Sequence, residues 1–216
     1  MPQNGSIDID IWSDLVCPWC WIGKHRLERA LEAEGLRGRW RFHAYELGPR
    51  EQKREPTLKH LAEKYSVGPE EARQMVQRVQ DLGRELGLDI NPDKQQTAPT
   101  YDAQRLVQAA QAHETGDARI LVERLHKAHF SEGLDLGDHA VLKRIASEAG
   151  MAPNKVDHVL ASDAYAIEVE YDEERASAIE IGGVPFTVLN QRLTISGAQG
   201  IEAFRKALHQ ALPSGV

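Results

Sequence analysis

The stretch that decides the fold is residues 7–31, IDIDIWSDLVCPWCWIGKHRLERAL. Isoleucines alternate with aspartates over residues 7–11, which is the period-two pattern of a β-strand. From Pro18 onward the apolar residues recur at helical spacing instead. Cys17 and Cys20, the two cysteines of the chain, therefore lie where the strand gives way to the helix.

The position of the two cysteines predicts redox chemistry. Pro18 suits the first turn of a helix, because its missing N–H would be unpaired there in any case. Cys17 then lies at or just before the helix start, where unpaired N–H groups and the positive end of the helix dipole favour a thiolate. Cys20 follows on the same helical face, within reach of a disulfide. We therefore predict that Cys17 is the attacking thiolate and that Cys20 resolves the mixed disulfide.

Two other interpretations of the cysteine pair are a static structural disulfide and a pair of ordinary buried thiols. A disulfide that closes so short a loop adds little stability through loop entropy. A zinc site would need two further ligands, and the sequence has no second cysteine pair. We therefore predict a redox-active pair and no metal site.

Length and composition limit the classes of protein to which the chain can belong. The 216 residues suffice for one sizeable core or for a domain with a large insertion. A formal net charge of -7 argues against nucleic acid as a partner, and no apolar run approaches the length of a membrane span. The N-terminal residues have neither a basic flank nor an apolar signal core, so we expect a cytoplasmic protein. In that compartment a cysteine pair is catalytic or sensing rather than structural.

The rest of the chain changes from strand to helix and back. Residues 39–47 alternate in polarity, which predicts a second strand parallel to the first and hence a βαβ unit. Residues 57–181 have helical spacing almost throughout, and Ser162 or Asp163 is the expected cap of the last of these helices. Residues 184–190 and 193–196 then predict a hairpin that leads into a final helix. The helices before Ser162 are expected over residues 57–65, 69–87, 101–114, 117–130, 138–149 and 153–160.

Four segments carry a resemblance to the thioredoxin superfamily: DLVCPWCWIGKHRLERAL (14–31), HFSEGLDLGDHAVL (129–142), GGVPFTVLN (182–190) and SGAQG (196–200). More closely, the chain resembles the DsbA-like group with a helical insertion, and within it the FrnE-type branch. The resemblance implies an α/β, thioredoxin-like fold with an all-helical domain inserted between the βαβ and ββα halves. We accordingly expect the N-terminal βαβ half at 1–50, the inserted helical domain at 51–162, and the C-terminal helix with the ββα half at 163–216.

The resemblance also implies a second side to the active site. Val184–Pro185 matches the proline that the superfamily holds in the cis form beside the cysteine pair. The alternative is a trans proline that merely starts an edge strand. Val184 would offer its backbone to an extended substrate peptide. Pro18 and Trp19 would tune the pair, and a half-exposed Trp19 would furnish an apolar docking surface.

The function implied is thiol–disulfide exchange between the CPWC pair and a thiol-bearing or disulfide-bearing protein, peptide or small molecule. No tightly bound cofactor is required, glutathione is a possible co-substrate, and the oligomeric state is open. One alternative is a glutathione-dependent enzyme, because 2-hydroxychromene-2-carboxylate isomerases and kappa-class glutathione transferases share the fold and usually have serine where Cys17 stands. Another is a non-enzymatic, peptide-binding or chaperone-like module.

Two positions depart from the pattern of the family, and a residue next to the cysteines has alternative roles. Where relatives often have asparagine and histidine, this chain has Pro99 and Gln104, so the roles of those residues are not carried over. Asp14, just before the cysteines, is expected to form the turn, although it could also accept a proton or act on the thiols through its charge.

Three histidines and one acidic run are expected to have no part in the chemistry of the site. His43 is expected to be exposed on its strand, and residues 172–174, Asp-Glu-Glu, to form a solvated helix face. His126 and His129 would supply only half of a metal site, and no acidic or cysteine partner is placed to complete it.

Overall fold

The fold is described by a computed structural model over residues 5–48, 50–51, 53–112 and 117–212. The end of the helix predicted over 101–114 lies outside the described residues; as described, that helix ends at Ala112. Within these ranges the elements, in chain order, are β1 (Ser6–Ser13), α1 (Pro18–Ala33), β2 (Arg37–Ala44), α2 (Thr57–Tyr65), α3 (Pro69–Glu85), α4 (Tyr101–Ala112), α5 (Ala118–Phe130), α6 (His139–Glu148), α7 (Pro153–Leu160), α8 (Ala166–Ala178), β3 (Phe186–Leu189), β4 (Leu193–Ser196) and α9 (Ile201–Ala211).

The strands form one sheet in the order β2-β1-β3-β4. β1 pairs with β2 in parallel, as the sequence predicts, and α1 connects them. β3 is antiparallel to both of its neighbours, β1 and β4. The helices α2–α7 lie between β2 and α8 in the chain. This order makes β1 a central strand, and the cysteines follow its end directly.

The central strand β1 contributes to three hydrophobic clusters. Ile7 and Ile9 pack in a cluster that also holds residues of α1 and α9. Ile11 belongs to the large core formed with the helices α4–α7. Trp12 packs with Ala176 of α8 and with Ile181. The end of β1 is therefore fixed from several sides, and so is the start of α1 that follows it.

The expectation that His43 is exposed is wrong, because its side chain is 4% exposed. Its Nδ1 lies 2.5 Å from Oδ1 of Asp172, and its Nε2 lies 2.8 Å from Oδ1 of Asp10. The ring also stacks on Trp12, with 4.2 Å between the ring centroids. Burial alone would lower the pKa of His43, but the hydrogen bonds to the two carboxylates raise it.

Asp172 is likewise buried, so the expectation of a solvated face over residues 172–174 is wrong at this position. Its Oδ2 accepts hydrogen bonds from the Ala44 N–H at 3.0 Å and from the Gln108 amide at 2.8 Å. We call Asp10, His43, Gln108 and Asp172 the His43 cluster. It joins the sheet to α4 and α8, which are distant in sequence.

The helix ends show where local sequence signals were reliable. Asp138 caps α6, as predicted, by accepting a hydrogen bond from the Ala140 N–H at 2.8 Å. The predicted cap of α8 is wrong: this helix begins at Ala166, and its N-cap residue is Tyr165 in the left-handed conformation. Ser162 instead accepts a hydrogen bond from the Ala164 N–H, before the helix starts. Across the described ranges, the helices are too short or too polar to cross a membrane.

Candidate active site

The two cysteines lie at the start of α1, where the sequence places them. Cys17 is the N-cap residue in an extended conformation, and Pro18 occupies the first turn. Both thiols are free and buried, with Cys17 4% and Cys20 1% exposed. The first turn of α1 contains no acidic residue. The sulfur of Cys17 thus lies at the positive end of the helix dipole with no carboxylate in that turn to oppose it.

Val184 and Pro185 lie in the loop that passes next to the Cys17 sulfur. The Val184–Pro185 peptide bond is cis. The Cys17 thiol donates a hydrogen bond to the Val184 carbonyl oxygen, at an Sγ to O distance of 3.8 Å. Gly23 permits this approach, because a Cβ there would lie 3.0 Å from Cγ of Pro185. The loop before β3 is therefore held directly against α1 at the cysteine pair.

Of the three tryptophans near the motif, Trp12 and Trp21 are buried and Trp19 is 36% exposed. Trp21 donates from its indole N–H to Glu123 of α5, at 3.0 Å. Lys24 and His25 also bind Glu123, with Lys24 Nζ at 2.8 Å. Burial alone would raise the pKa of Glu123, but the bonds from His25 and Lys24 hold it well below its usual range. This ion cluster, which sequence reasoning missed, anchors α1 to the inserted helices.

Asp14 is fully buried behind the cysteines. Its carboxylate accepts hydrogen bonds from the Leu47 N–H at 2.7 Å and the Val16 N–H at 3.4 Å. Asp14 therefore forms the turn, as expected, and also ties it to the residues after β2. Burial raises the pKa of Asp14 to about 6.

The surroundings of Cys20 act on the pKa of its thiol. Burial is the main cause that raises the pKa of Cys20 well above its ordinary value, and proximity to Cys17 adds to it. The negative charge of Asp14 raises the pKa of Cys20 further. Cys17 lines the cavity described below, whereas Cys20 does not, and the attacking and resolving roles of the two residues stay a prediction.

A cavity of about 320 Å³ opens beside the cysteines. One end is formed by Cys17, Pro18 and Trp19, whereas Val184 and Pro185 are not part of its lining. The other walls come from residues of the inserted helices: α2, α3, the segment 95–98 and the end of α5. The structure thus brings the cysteine motif to the boundary between the sheet and the helical insertion.

His126 and His129 lie on α5 and are buried, at 1% and 3% exposure. Burial lowers the pKa of His126 to about 3 and that of His129 to about 4. His129 lines the cavity together with Cys17, whereas His126 does not. Among the described residues, no group of three His, Cys, Asp or Glu side chains is arranged to hold a metal ion.

The two departures from the expected pattern have structural positions. Gln104 of α4 is buried and donates a hydrogen bond to the Ser13 carbonyl oxygen at 2.9 Å. It thereby fixes the end of β1 against the inserted helices. Pro99 lies against Gly137, where a Cβ would come within 2.7 Å of the proline ring.

The sheet order, the helix α1 after the central strand and the cis proline before β3 together define a thioredoxin-like fold. The family model for the DsbA-like thioredoxin domain matches residues 8–209. The chain belongs to this family, and the predicted fold class is confirmed. Membership supports thiol–disulfide oxidoreductase activity at the level of the family.

Individual relatives agree with this assignment. The structure of a probable DsbA oxidoreductase from Streptomyces coelicolor is 31% identical, with a TM-score of 0.88 over 97% of this chain and 93% of that one. The uncharacterized protein YwbO of Bacillus subtilis is 25% identical over 94% of this chain and 96% of its own length. The cytosolic disulfide reductase DsbM of Pseudomonas aeruginosa, solved with GSH, is 19% identical, with a TM-score of 0.64 over 94% of this chain and 98% of that one, and shows the shared fold alone.

Proposed function

We propose that this protein is a thiol–disulfide oxidoreductase in which Cys17 exchanges with the disulfide of a polypeptide and Cys20 resolves the intermediate. The observation that carries the proposal is the asymmetry of the pair. Cys17 lies at the positive end of α1, beside the Val184 carbonyl and a cavity, while Cys20 lies behind it, buried and held as a thiol. Although both residues are buried, Cys17 lines the cavity and Cys20 does not, so the Cys17 sulfur is the one that a substrate would meet first.

The reaction conserves atoms and electrons in two steps. The Cys17 thiolate attacks one sulfur of a substrate disulfide, the substrate S–S bond breaks, and the departing thiolate takes up a proton. Cys20 then loses its proton and attacks the sulfur of Cys17, which releases the second substrate thiol. The substrate gains two electrons, and the protein loses two as the Cys17–Cys20 disulfide forms. The reverse sequence oxidises a dithiol substrate.

The groups around Cys17 have distinct parts in this scheme. When Cys17 loses its proton, it no longer donates a hydrogen bond to the Val184 carbonyl oxygen. That oxygen is then free to accept an N–H from an extended substrate segment, as in strand addition. Pro18 and Trp19 form the near wall of the cavity, and the exposed part of Trp19 offers apolar contact to the same segment.

No tightly bound cofactor enters this scheme, because the electrons pass through the cysteines. Glutathione is proposed as a co-substrate that returns the pair to its starting state, and the cytoplasm as the compartment. The description of DsbM as a cytosolic disulfide reductase solved with GSH supports both parts of this proposal.

The test is an equilibrium titration of the Cys17–Cys20 pair in graded glutathione buffers, read by thiol trapping and intact mass. We expect one cooperative two-electron transition, whose midpoint gives the direction of electron flow relative to the cytosolic poise. In turnover with a disulfide peptide, Cys17→Ser should lose exchange, and Cys20→Ser should accumulate a mixed disulfide at Cys17. A pair that never forms a disulfide would overturn the proposal.

The Cys17→Ser variant also separates the alternatives. Glutathione-dependent isomerisation that survives in this variant would favour the isomerase or transferase class. Peptide binding with no exchange in either protein would favour a chaperone-like module.

A further inference from the structure

The cavity beside Cys17 holds an unusual share of the exposed apolar surface. Eight large hydrophobic side chains are exposed among the described residues. Four of them, Trp19, Leu47, Tyr65 and Met75, line this one cavity, with Tyr65 53% and Leu47 45% exposed. Concentrated exposed apolar surface marks a binding site rather than ordinary surface variation. All four side chains keep between 36% and 53% of their surface exposed while lining the cavity, so apolar surface stays open to solvent there, which suits a polypeptide better than an enclosed small molecule.

The charge of the lining agrees with an apolar occupant. The lining residues include no aspartate or glutamate, although the chain as a whole carries a net charge of -7. Its charged or titratable members are Lys64, His60, His129, Tyr65 and Cys17. His60 is paired with Glu55 at 3.1 Å. The lining also contains the uncharged polar residues Thr57, Gln95, Gln96 and Thr97. Of these, the buried Gln95 and Thr97 already donate to the carbonyl oxygens of Phe130 and Lys53.

His129 is the one buried imidazole in that wall, and it makes no hydrogen bond within the described part of the chain. It is 3% exposed, and its aromatic contact is an edge-to-face one with Phe130, with 4.7 Å between the centroids. The enclosed polar atoms without a partner include both ring nitrogens of His126 but neither of His129. The nitrogens of His129 are therefore not fully enclosed, and the residue lines the cavity.

An unpaired imidazole in an apolar cavity specifies the chemistry of its partner. A neutral imidazole has one donor nitrogen and one acceptor nitrogen. A buried polar group without a partner costs about 1–3 kcal/mol, so an occupant that supplies the bond is favoured over one that does not. The cavity volume of about 320 Å³ is roughly twice that of an engineered cavity of about 150 Å³ that holds benzene. An aromatic ring with one hydroxyl group fits both the volume and the single polar contact.

We propose that this cavity takes a tyrosine side chain of the disulfide-bearing polypeptide, close in sequence to the reacting cysteine, and that the tyrosine hydroxyl donates a hydrogen bond to His129. The proposal rests on the proposed function, since the tyrosine belongs to the substrate that Cys17 attacks. His129 is thus a specificity-determining residue. It selects tyrosine over phenylalanine, which fills the same space but leaves the imidazole unpaired.

The experiment compares disulfide peptides that differ only in one aromatic residue, tyrosine, phenylalanine or O-methyltyrosine. That residue is placed in turn at each of the three positions on either side of the reacting cysteine. The measurement is kcat/KM for exchange with the wild-type protein. At the best position we expect tyrosine to exceed both other residues by ~10-fold, which is the effect of one hydrogen bond of ordinary strength.

The variant arm uses His129→Phe, with His126→Phe as the matched control on the same helix. The ratio of tyrosine to phenylalanine should fall to about 1 in His129→Phe and stay near the wild-type value in His126→Phe. His129→Gln, which keeps a donor and an acceptor, should recover part of the ratio. If His129→Phe does not fold, the O-methyltyrosine comparison with wild-type protein still decides the question.

The outcomes separate the two proposals. A ratio near 1 at every position, with peptides that still exchange, overturns the role of His129 and leaves the exchange function intact. A tenfold ratio that persists in His129→Phe also overturns it. If no peptide exchanges at all, both proposals fail.

Discussion

The His43 cluster and the two histidines of α5 are both buried imidazole sites, but they differ in their partners. His43 has a carboxylate on each ring nitrogen, and one of these carboxylates is also bound by Gln108 and the Ala44 N–H. Both ring nitrogens of His126 are enclosed without a partner at hydrogen-bonding geometry, although the backbone of Asp14 lies near enough to raise its pKa slightly. His129 forms no hydrogen bond among the described residues, and burial lowers the pKa of both histidines. The first site joins the sheet to α4 and α8, and the second leaves His129 with bonding capacity at the cavity that Cys17 also lines.

The difference follows from where each site lies. The His43 cluster joins elements that must stay in register, so all of its polar groups are satisfied internally. The histidines of α5 face the boundary between the sheet and the inserted helices, where His129 meets a cavity. Unpaired buried groups are retained where a ligand supplies the missing bond or where stability is given up for another purpose.

Of the variants that test this difference between the two sites, Asp172→Ala should change the free energy of unfolding most. The change leaves His43, the Ala44 N–H and the Gln108 amide without the acceptor that they share. We expect a loss of about 3–5 kcal/mol in the free energy of unfolding, measured with urea at pH 7. Glu174→Ala, at an exposed position two residues on in α8, is the control and should change stability by less than about 0.5 kcal/mol. Equal losses in the two variants would contradict the structural role of the cluster.

The second prediction concerns the contribution of His126 to the pH dependence of the protein's stability. Unfolded histidine titrates near pH 6.5, whereas the pKa of buried His126 is lowered to about 3. Between these values the unfolded state binds the proton and the folded state does not, so stability falls as the pH falls. The fall approaches about 1.4 kcal/mol per pH unit well below pH 6.5. Because the unfolded histidine is half protonated at pH 6.5, the total fall between pH 6.5 and 4.5 is roughly 2 kcal/mol. Relative to wild type, His126→Phe should lack this loss in urea titrations across that range.

In the same urea titrations, His43 should give the opposite pH dependence of stability. Because its folded pKa is raised, its contribution is complete below about pH 6.5 and is lost as the pH rises through the folded value. The difference in the free energy of unfolding between wild type and His43→Gln should therefore become smaller as the pH rises above the folded pKa of His43. If both histidines lost stability in the same direction, the distinction between paired and unpaired sites would be wrong.

The smallest expected change in the free energy of unfolding comes from replacing a histidine by phenylalanine at pH 8, where an unfolded histidine carries no charge. The same substitution is made at His126 and at His43. At pH 8, His126→Phe removes an unpaired buried imidazole and keeps a ring that packs near Trp21 and Phe130. We expect a gain of about 1 kcal/mol in the free energy of unfolding, reduced by any overpacking. His43→Phe leaves two buried carboxylates without their partner, so it should destabilise the protein. Loss of stability in both variants would show that His126 has a partner in solution.

Much of the fold and the position of the cysteine pair could be predicted from the sequence, because the signals are local. Pro18 in the first turn of α1 and the Asp138 cap of α6 depend on residues a few positions away. The alternation over residues 7–11 and the helical spacing of the insertion are set by the periods of strand and helix. The cap of α8 was missed because Ser162 bonds to the Ala164 N–H before the helix begins.

What only the tertiary structure decided is which polar side chains are buried and which of them are paired. His43 and Asp172 are 129 residues apart in sequence, and each belongs to a segment whose own pattern is typical of a solvated surface. The buried imidazole of His129 belongs to the candidate active site because α5 packs beside the start of α1. Sequence periodicity determines the face of an element on which a residue lies, but burial and hydrogen bonding depend on what packs against that face. Those contacts are formed between elements, so the sequence of a single element does not contain them.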